Sequence, residues 1–391
     1  MALSISRSNS ITTFSGLKRA LTQQAAAEIG SKLLLLNNPE KDGFAITTVL
    51  TNTPPVHKNY PHLRPIDGII ARLALAQPGA HALVQAIDEK TLKIGSREVK
   101  FEFCDLRKEF PTISTSFDIA FLATSKADIS AESAVVSWLK RKCHTILGVA
   151  EANDLPSIYS CLADLSSSDL PTAKTRVITN GVYCLGSCQT NGMHASLRIV
   201  IDTLRTLGLT AQSILAVETD IIHPDTPNGV LGTRSFEGRD QDARNNLRPS
   251  FSQITQSQTK VMPWAPLVNT ISLRAPVHAP GFQINRFIVQ DRGLMTREAV
   301  EASIDNLFDR YRYIAQGTTM PLGSRAYAHD HRCATILTDS HHLLLSRPSY
   351  LEPQGLSQLT IQSFVNNTVG YSSLAISAAR NIALGLSSTI F

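Results

Sequence analysis

Phe117-Asp118-Ile119-Ala120-Phe121-Leu122-Ala123 is the stretch on which the reading of the fold turns. All of it but Asp118 is apolar, on both parities, which is how a strand reads when both faces of a parallel sheet are covered. A helix is predicted next, from about Ser130 through Lys142, with Ser130 as its cap and Glu132 in its first turn. Ser133 stands where a full capping box would have Glu or Gln, and Val135, Val136 and Leu139 fall at helical spacing. Thr145 to Val149 is another short apolar run, so strand, helix and strand follow in order and imply a parallel α/β layer.

Upstream, Ala45 to Leu50 is a β-branched strand, and Lys93 to Phe103 alternates through a turn at Gly95-Ser96. Leu17 to Ala27 reads as the first helix. Downstream, Arg176 to Leu185 has strand character until Gly186 breaks it. The period then changes: Met193, Leu197, Val200, Ile201 and Leu204 form one helical stripe, which Gly208 ends. Strands are expected at Ser213 to Val217, Val268 to Leu273, Gln283 to Gln290 and Ala334 to Leu345. A last helix spans Ser373 to Leu384, with Leu374, Ala378 and Ile382 on one face. An α/β half thus precedes a mostly antiparallel half, and a helix closes the chain.

A chain of 391 residues can bury a full core, and its length favours more than one domain. The net charge of +5 is spread among acids, and the densest basic run, Lys140-Arg141-Lys142, closes a helix where cations suit the dipole. That is no nucleic-acid footprint, which takes a patterned stripe. No apolar run has the length of a membrane span. Six scattered cysteines fit reduced thiols and a cytoplasmic setting. Import into an organelle remains an alternative, because Ser/Thr-rich sequence with Arg7, Lys18 and Arg19 precedes the first acid, Glu28.

Chemistry concentrates at Gly186-Ser187-Cys188-Gln189-Thr190-Asn191. A strand ends, a glycine turns, and a cysteine opens a helix. Amides at a helix N-terminus favour a thiolate and can also receive an oxyanion formed when the sulfur attacks a carbonyl.

Ser187-Cys188-Gln189-Thr190-Asn191 resembles the active-site segment of the glyceraldehyde-3-phosphate dehydrogenase family, Ser-Cys-Thr-Thr-Asn-Cys. Leu273-Arg274-Ala275-Pro276 is similar to that family's Phe-Arg-Val-Pro strand, and Arg239 with Asn246 and Pro249-Ser250 to its Arg-x-x-Arg…Asn-x-x-Pro-Ser loop. Phe364-Val365-Asn366-Asn367-Thr368-Val369-Gly370-Tyr371-Ser372 resembles its Trp-Tyr-Asp-Asn-Glu-x-Gly-Tyr-Ser. The resemblance implies an α/β plus α+β fold. A Rossmann-like domain would span residues 1–186, joined by a C-terminal helix at 372–391, and a catalytic domain with an antiparallel sheet residues 187–371. It implies Cys188 as nucleophile on an aldehyde or acyl carbon, with Ser187 and the Cys188 amide at the oxyanion. Thr190, Arg239 and Arg274 would bind an anionic substrate. Asn367 would hold a nicotinamide, with Asn52 at the ribose of NAD or NADP. A homo-oligomer, dimer or tetramer, is expected from the family, without nucleic acid or membrane partners.

The departures from the pattern fall on function. Counting from Gly208 places Glu218 where the family has its catalytic histidine; a carboxylate there could act as base if it were protonated more readily by burial. His223 and His194 are the substitutes considered. The glycine-rich cofactor loop is matched to Ser6 through Gly16, which holds one glycine, and the ribose acid is replaced by Asn52. Gln189 replaces threonine, and the phosphate loop reads Phe251-Ser252-Gln253-Ile254-Thr255-Gln256. A substrate other than glyceraldehyde 3-phosphate is expected. The alternative is a family member without redox chemistry, either a cofactor-independent cysteine enzyme or an inactive interaction protein. Cys184 is read as packing in its strand, with a resolving thiol as the alternative. His329, His331 and Cys333 alternate as zinc ligands would on a strand, though no metal is expected.

Overall fold

The structure is a computed structural model that describes residues 18–24, 27–54, 58–77, 79–105, 108–124, 128–224, 247–265, 267–275, 277, 280–311, 314–316, 323–327, 335–337 and 343–391. Two large sheets organise it. The first is built from β1 (Lys18–Gln24), β2 (Phe44–Thr51), β3 (Val84–Ala86), β4 (Thr91–Ile94), β5 (Arg97–Phe103), β6 (Phe117–Ala123), β7 (Cys143–Gly148) and β9 (Gly181–Cys184), in the order β3-β4-β5-β2-β1-β6-β7-β9. From β5 to β9 every pairing is parallel, and the β3-β4-β5 edge is antiparallel. β8 (Lys174–Val177) stays out of this sheet and pairs with the C-terminal β18 (Ser387–Ile390). The expected single strand from Arg176 to Leu185 is therefore two strands that serve different partners.

The buried apolar run at β6 lies where its pattern predicts, paired on both sides, with Ile119, Ala120, Phe121 and Leu122 fully buried. The helix after it, α4 (Ala134–Lys140), is shorter than expected, with α1 to α3 at Ala27–Leu36, Pro39–Asp42 and Pro65–Ala76. Its cap is Ser133, whose hydroxyl accepts from the Val135 and Val136 amides, because Ser130 is occupied by Asp154 at 2.8 Å.

Lys18–Gln24, expected within a first helix, is not helical. It forms β1, in the middle of the first sheet between β2 and β6. Its sequence, KRALTQQ, carries little strand propensity, so pairing with both neighbours overrides local preference. The first helix therefore begins at Ala27, after β1, and the stretch matched to a glycine-rich loop, Ser6–Gly16, lies outside the described residues.

The second sheet contains β10 (Ile214–Pro224), β11 (Arg248–Pro249), β12 (Leu267–Ala275), β13 (Gly281–Gln290), β14 (Ile314–Gln316), β15 (Thr335–Leu337), β16 (Leu343–Ser346) and β17 (Leu356–Val365). Its order is β11-β12-β10-β13-β17-β15-β14, with β16 also on β17. Antiparallel pairs join β13 to β10 and to β17, while β10 and β12 run parallel. One face packs on α5 (Cys188–Thr206) and α7 (Arg297–Arg310); α6 (Ile254–Val261) lies against α5. The predicted stripe Met193, Leu197, Val200, Ile201 and Leu204 is at most 2% exposed, and each such side chain contributes about 1.5–3 kcal/mol on burial. Gly208, at φ 72°, follows the helix as expected. The last helix, α8 (Val369–Ala383), starts earlier than predicted and packs on α1 and α2. Its Tyr371, Ala375, Ala379 and Ile382 join the core of the first sheet, while Leu374 joins the core around α5.

Candidate functional site

The strand β9 leads into α5 through Gly186, whose φ of 76° lies in the left-handed region and whose missing Cβ would sit 2.9 Å from the Tyr159 ring. Only glycine makes that turn without strain. Ser187 then caps α5, its hydroxyl accepting from the Thr190 amide at 3.1 Å. Asn191 ties the turn down by donating to Leu185 O at 3.0 Å and Ser187 O at 2.9 Å. Tyr371, from α8, donates to Gly186 O at 2.6 Å, which sets the start of α8 against the turn that carries Cys188.

Behind the turn lies a buried polar chain. Thr190 Oγ1 is 2.9 Å from both Ser187 Oγ and Ser257 Oγ, and Ser257 donates to Glu151. Glu151 is fully buried, pairs with Lys260 Nζ at 2.9 Å and accepts from Tyr159 at 3.0 Å. Lys260 also donates to Leu155 O and Ser157 Oγ at 2.9 and 2.8 Å. Thr190 itself has no exposed surface, so the hydroxyl expected on substrate is spent inside the protein. Cys184 lies buried in β9 beside Ser157, Glu151 and Lys260, packed in its strand, and desolvation, then the Glu151 charge, holds its thiol above the ordinary range.

Cys188, the first residue of α5, is half-buried. Burial pushes its thiol up to about 11, against the opposing pull of the Gln189 and Cys188 amides, the Arg274 charge and the Gln189 side chain. Gln189 Oε1 lies 3.0 Å from Sγ, close enough to accept from the thiol. On the other side stands His223, with Nε2 3.9 Å from Sγ. His223 Nδ1 is 2.6 Å from Arg274 Nη1 and 2.9 Å from Pro224 O, and Arg274 also donates to Pro224 O at 2.9 Å and from Nε to Ser250 Oγ at 3.3 Å. β10 and β12 supply this pair in direct register, His223 beside Arg274.

Glu218 is not part of this group. Val217, Thr219 and Ile221 are buried on the inward face of β10, which puts His223 inward and Glu218 outward, next to Arg286 of β13. Five residues of strand also separate the two, about 17 Å at the usual rise. His194 is fully buried in α5 with both ring nitrogens unpartnered among the described residues and its ring edge-on to Tyr159 at 4.4 Å.

Of the remaining expected residues, Asn52 is exposed at the end of β2. Asn366 and Asn367 divide two tasks. Asn366 Oδ1 accepts from the Thr368 and Gly370 amides, both at 3.1 Å, and so starts α8, while Asn367 Oδ1 is a buried acceptor with no partner among the described residues. Arg239 and Asn246 lie outside the described residues, as do His329, His331 and Cys333; among the described residues no cluster suits a metal. Among the described residues no helix is long and apolar enough to cross a membrane.

Fold and site together define a mixed α/β protein with a thiol at a helix N-terminus, backed by an imidazole and a guanidinium. No family model matches the chain, and no curated protein matches it.

Proposed function

We propose that the chain is a divergent enzyme of the glyceraldehyde-3-phosphate dehydrogenase type, in which Cys188 attacks the carbonyl carbon of a small anionic aldehyde or acyl compound. The observation that carries this reading is His223 Nε2 facing Cys188 Sγ at 3.9 Å across the helix N-terminus, with Arg274 behind it. A thiol, a proton carrier and a cation are what acyl chemistry on an anionic substrate asks for. The parallel order β5-β2-β1-β6-β7-β9 supports a Rossmann-like half, since doubly wound nucleotide folds have it. The half-exposed apolar residues Ile222 and Ile271 on the outer face of the second sheet suit a homo-oligomer.

The fit to NAD or NADP is divided. At the nicotinamide end, Asn367 Oδ1, without a partner among the described residues, suits a carboxamide donor. At the pyrophosphate end, α1 opens Ala27-Glu28-Ile29-Gly30, so an acid sits in the first turn, where an anion would be received. The residues there do not fit the usual binding mode. This favours a second reading, a cofactor-independent cysteine enzyme working through the same thiol.

Two measurements separate the readings. NAD or NADP at millimolar concentration raises the melting temperature if it binds the folded chain, and no shift removes the dehydrogenase reading. In phosphate buffer near neutral pH, iodoacetamide is expected to alkylate Cys188 at least tenfold faster than Cys104, mapped by mass spectrometry. Equal rates would overturn both readings.

A further inference from the structure

A guanidinium only donates hydrogen bonds, so the His223 Nδ1 that meets Arg274 Nη1 at 2.6 Å must hold a lone pair. The ring proton is then on Nε2, the atom that faces Cys188 Sγ. In this state the imidazole offers the thiol no acceptor, and it cannot gain a second proton without setting two N–H groups against each other. The centre at rest is a thiol, in keeping with the push of burial on Cys188.

The same atoms hold a second arrangement. Pro224 O lies 2.9 Å from His223 Nδ1 as well as 2.9 Å from Arg274 Nη1. Once Arg274 leaves, the ring proton can pass through solvent to Nδ1 and donate to that carbonyl, which leaves the Nε2 lone pair facing the sulfur to take the thiol proton. Among the described residues, Arg274 also donates to the Ser250 hydroxyl at 3.3 Å, a neutral partner that an anion can outbid.

We propose that Arg274 is a positioning residue that gates Cys188: an anionic group on the substrate draws its guanidinium off His223, and the freed imidazole takes up the thiol proton. The inference rests on the reading of Cys188 as nucleophile. The S–H bond breaks and a ring N–H bond forms, so a thiol and a neutral ring become a thiolate and an imidazolium, with no electrons exchanged. The hydrogen bonds that Arg274 gives up are remade to the anion. Among the described residues, nearby titratable groups are otherwise committed. Tyr371 donates to Gly186 O, the Glu151–Lys260 pair is closed on itself beside Cys184, and Glu218 and Asp220 lie on the outer face of β10. Substrates that lack an anionic group would leave the thiol idle.

The test compares iodoacetamide alkylation of Cys188 in the full chain at pH 7.5 in HEPES and sodium chloride with the same reaction in inorganic phosphate at equal ionic strength. Phosphate is expected to speed Cys188 at least tenfold, saturably, to move the midpoint of its pH profile downward, and to leave Cys104 unchanged. In Arg274→Gln the response to phosphate disappears. Nitrogen-15 spectra of the histidines provide a readout that needs no variant: the His223 Nδ1 signal passes from a lone-pair nitrogen to a protonated one as phosphate is added. If phosphate slows Cys188, or leaves it as fast as in chloride, or speeds Arg274→Gln equally, the gate is overturned. Cys188 alkylated rapidly in both buffers removes the gate alone, whereas Cys188 no faster than Cys104 in phosphate removes the nucleophile itself.

Discussion

Tyr371 donates its hydroxyl to Gly186 O at 2.6 Å, joining two points 185 residues apart in the chain. The acceptor belongs to the left-handed turn that aims Cys188, and the donor belongs to the helix that packs on α1. Tyr371→Phe keeps the ring in its core and leaves a buried carbonyl without its donor. That is expected to cost about 1–3 kcal/mol in urea unfolding, the range for an unsatisfied buried group. A cost near zero would mean that water or a neighbour replaces the bond.

The Glu151–Lys260 pair joins the end of the first sheet to α6. Lys260→Met leaves the fully buried Glu151 without its cation, and about 3–5 kcal/mol should be lost. The double variant Glu151→Gln, Lys260→Met removes both charges and should recover a large part of that. The comparison is a double-mutant cycle in urea. Strict additivity of the single variants would show that the two charges do not interact.

His194 gives the protein a weakness in acid. Desolvation in α5 depresses its pKa from 6.5 to about 3. The unfolded chain takes up a proton as pH falls through 6.5, while the folded chain refuses it until about 3. The stabilisation is therefore complete above pH 6.5 and is lost on acidification at about 1.4 kcal/mol per pH unit for this one group. His194→Phe, which keeps an aromatic ring against Tyr159, should flatten the decline between pH 6.5 and 4 by one proton. An unchanged slope would refute the assignment.

Much of this was legible in the sequence. β6 announces itself because a strand covered on both faces must be apolar on both parities. The stripe of α5 and Gly208 mark a helix and its end without ambiguity. β1 was not legible, since KRALTQQ owes its place to hydrogen bonds with β2 and β6 that local sequence does not encode. Reading a helix there also left the expected glycine-loop match on Ser6–Gly16, outside the described residues. Thr190 illustrates a different limit. Its place one turn into α5 could be read, but its bond to Ser257 depends on a helix more than sixty residues later.

Counting ranked Glu218 ahead of His223 as the residue beside Cys188, where parity would have reversed the order. Residues added between α5 and β10 shift any count from Gly208, so position alone selected Glu218. Strand alternation is insensitive to such insertions: Val217, Thr219 and Ile221 face the core, and the residue that continues their face to the strand's end is His223. The two candidates separate in one experiment. In phosphate buffer at pH 7.5, His223→Asn is expected to slow alkylation of Cys188 at least tenfold, because the thiolate loses the imidazolium opposite its charge. Glu218→Gln, on the outer face beside Arg286, should stay within about twofold of the parent, as distant surface charges do when screened. The reverse pattern would place the working base on the outer face of the sheet, which the register of β10 on β13 does not permit.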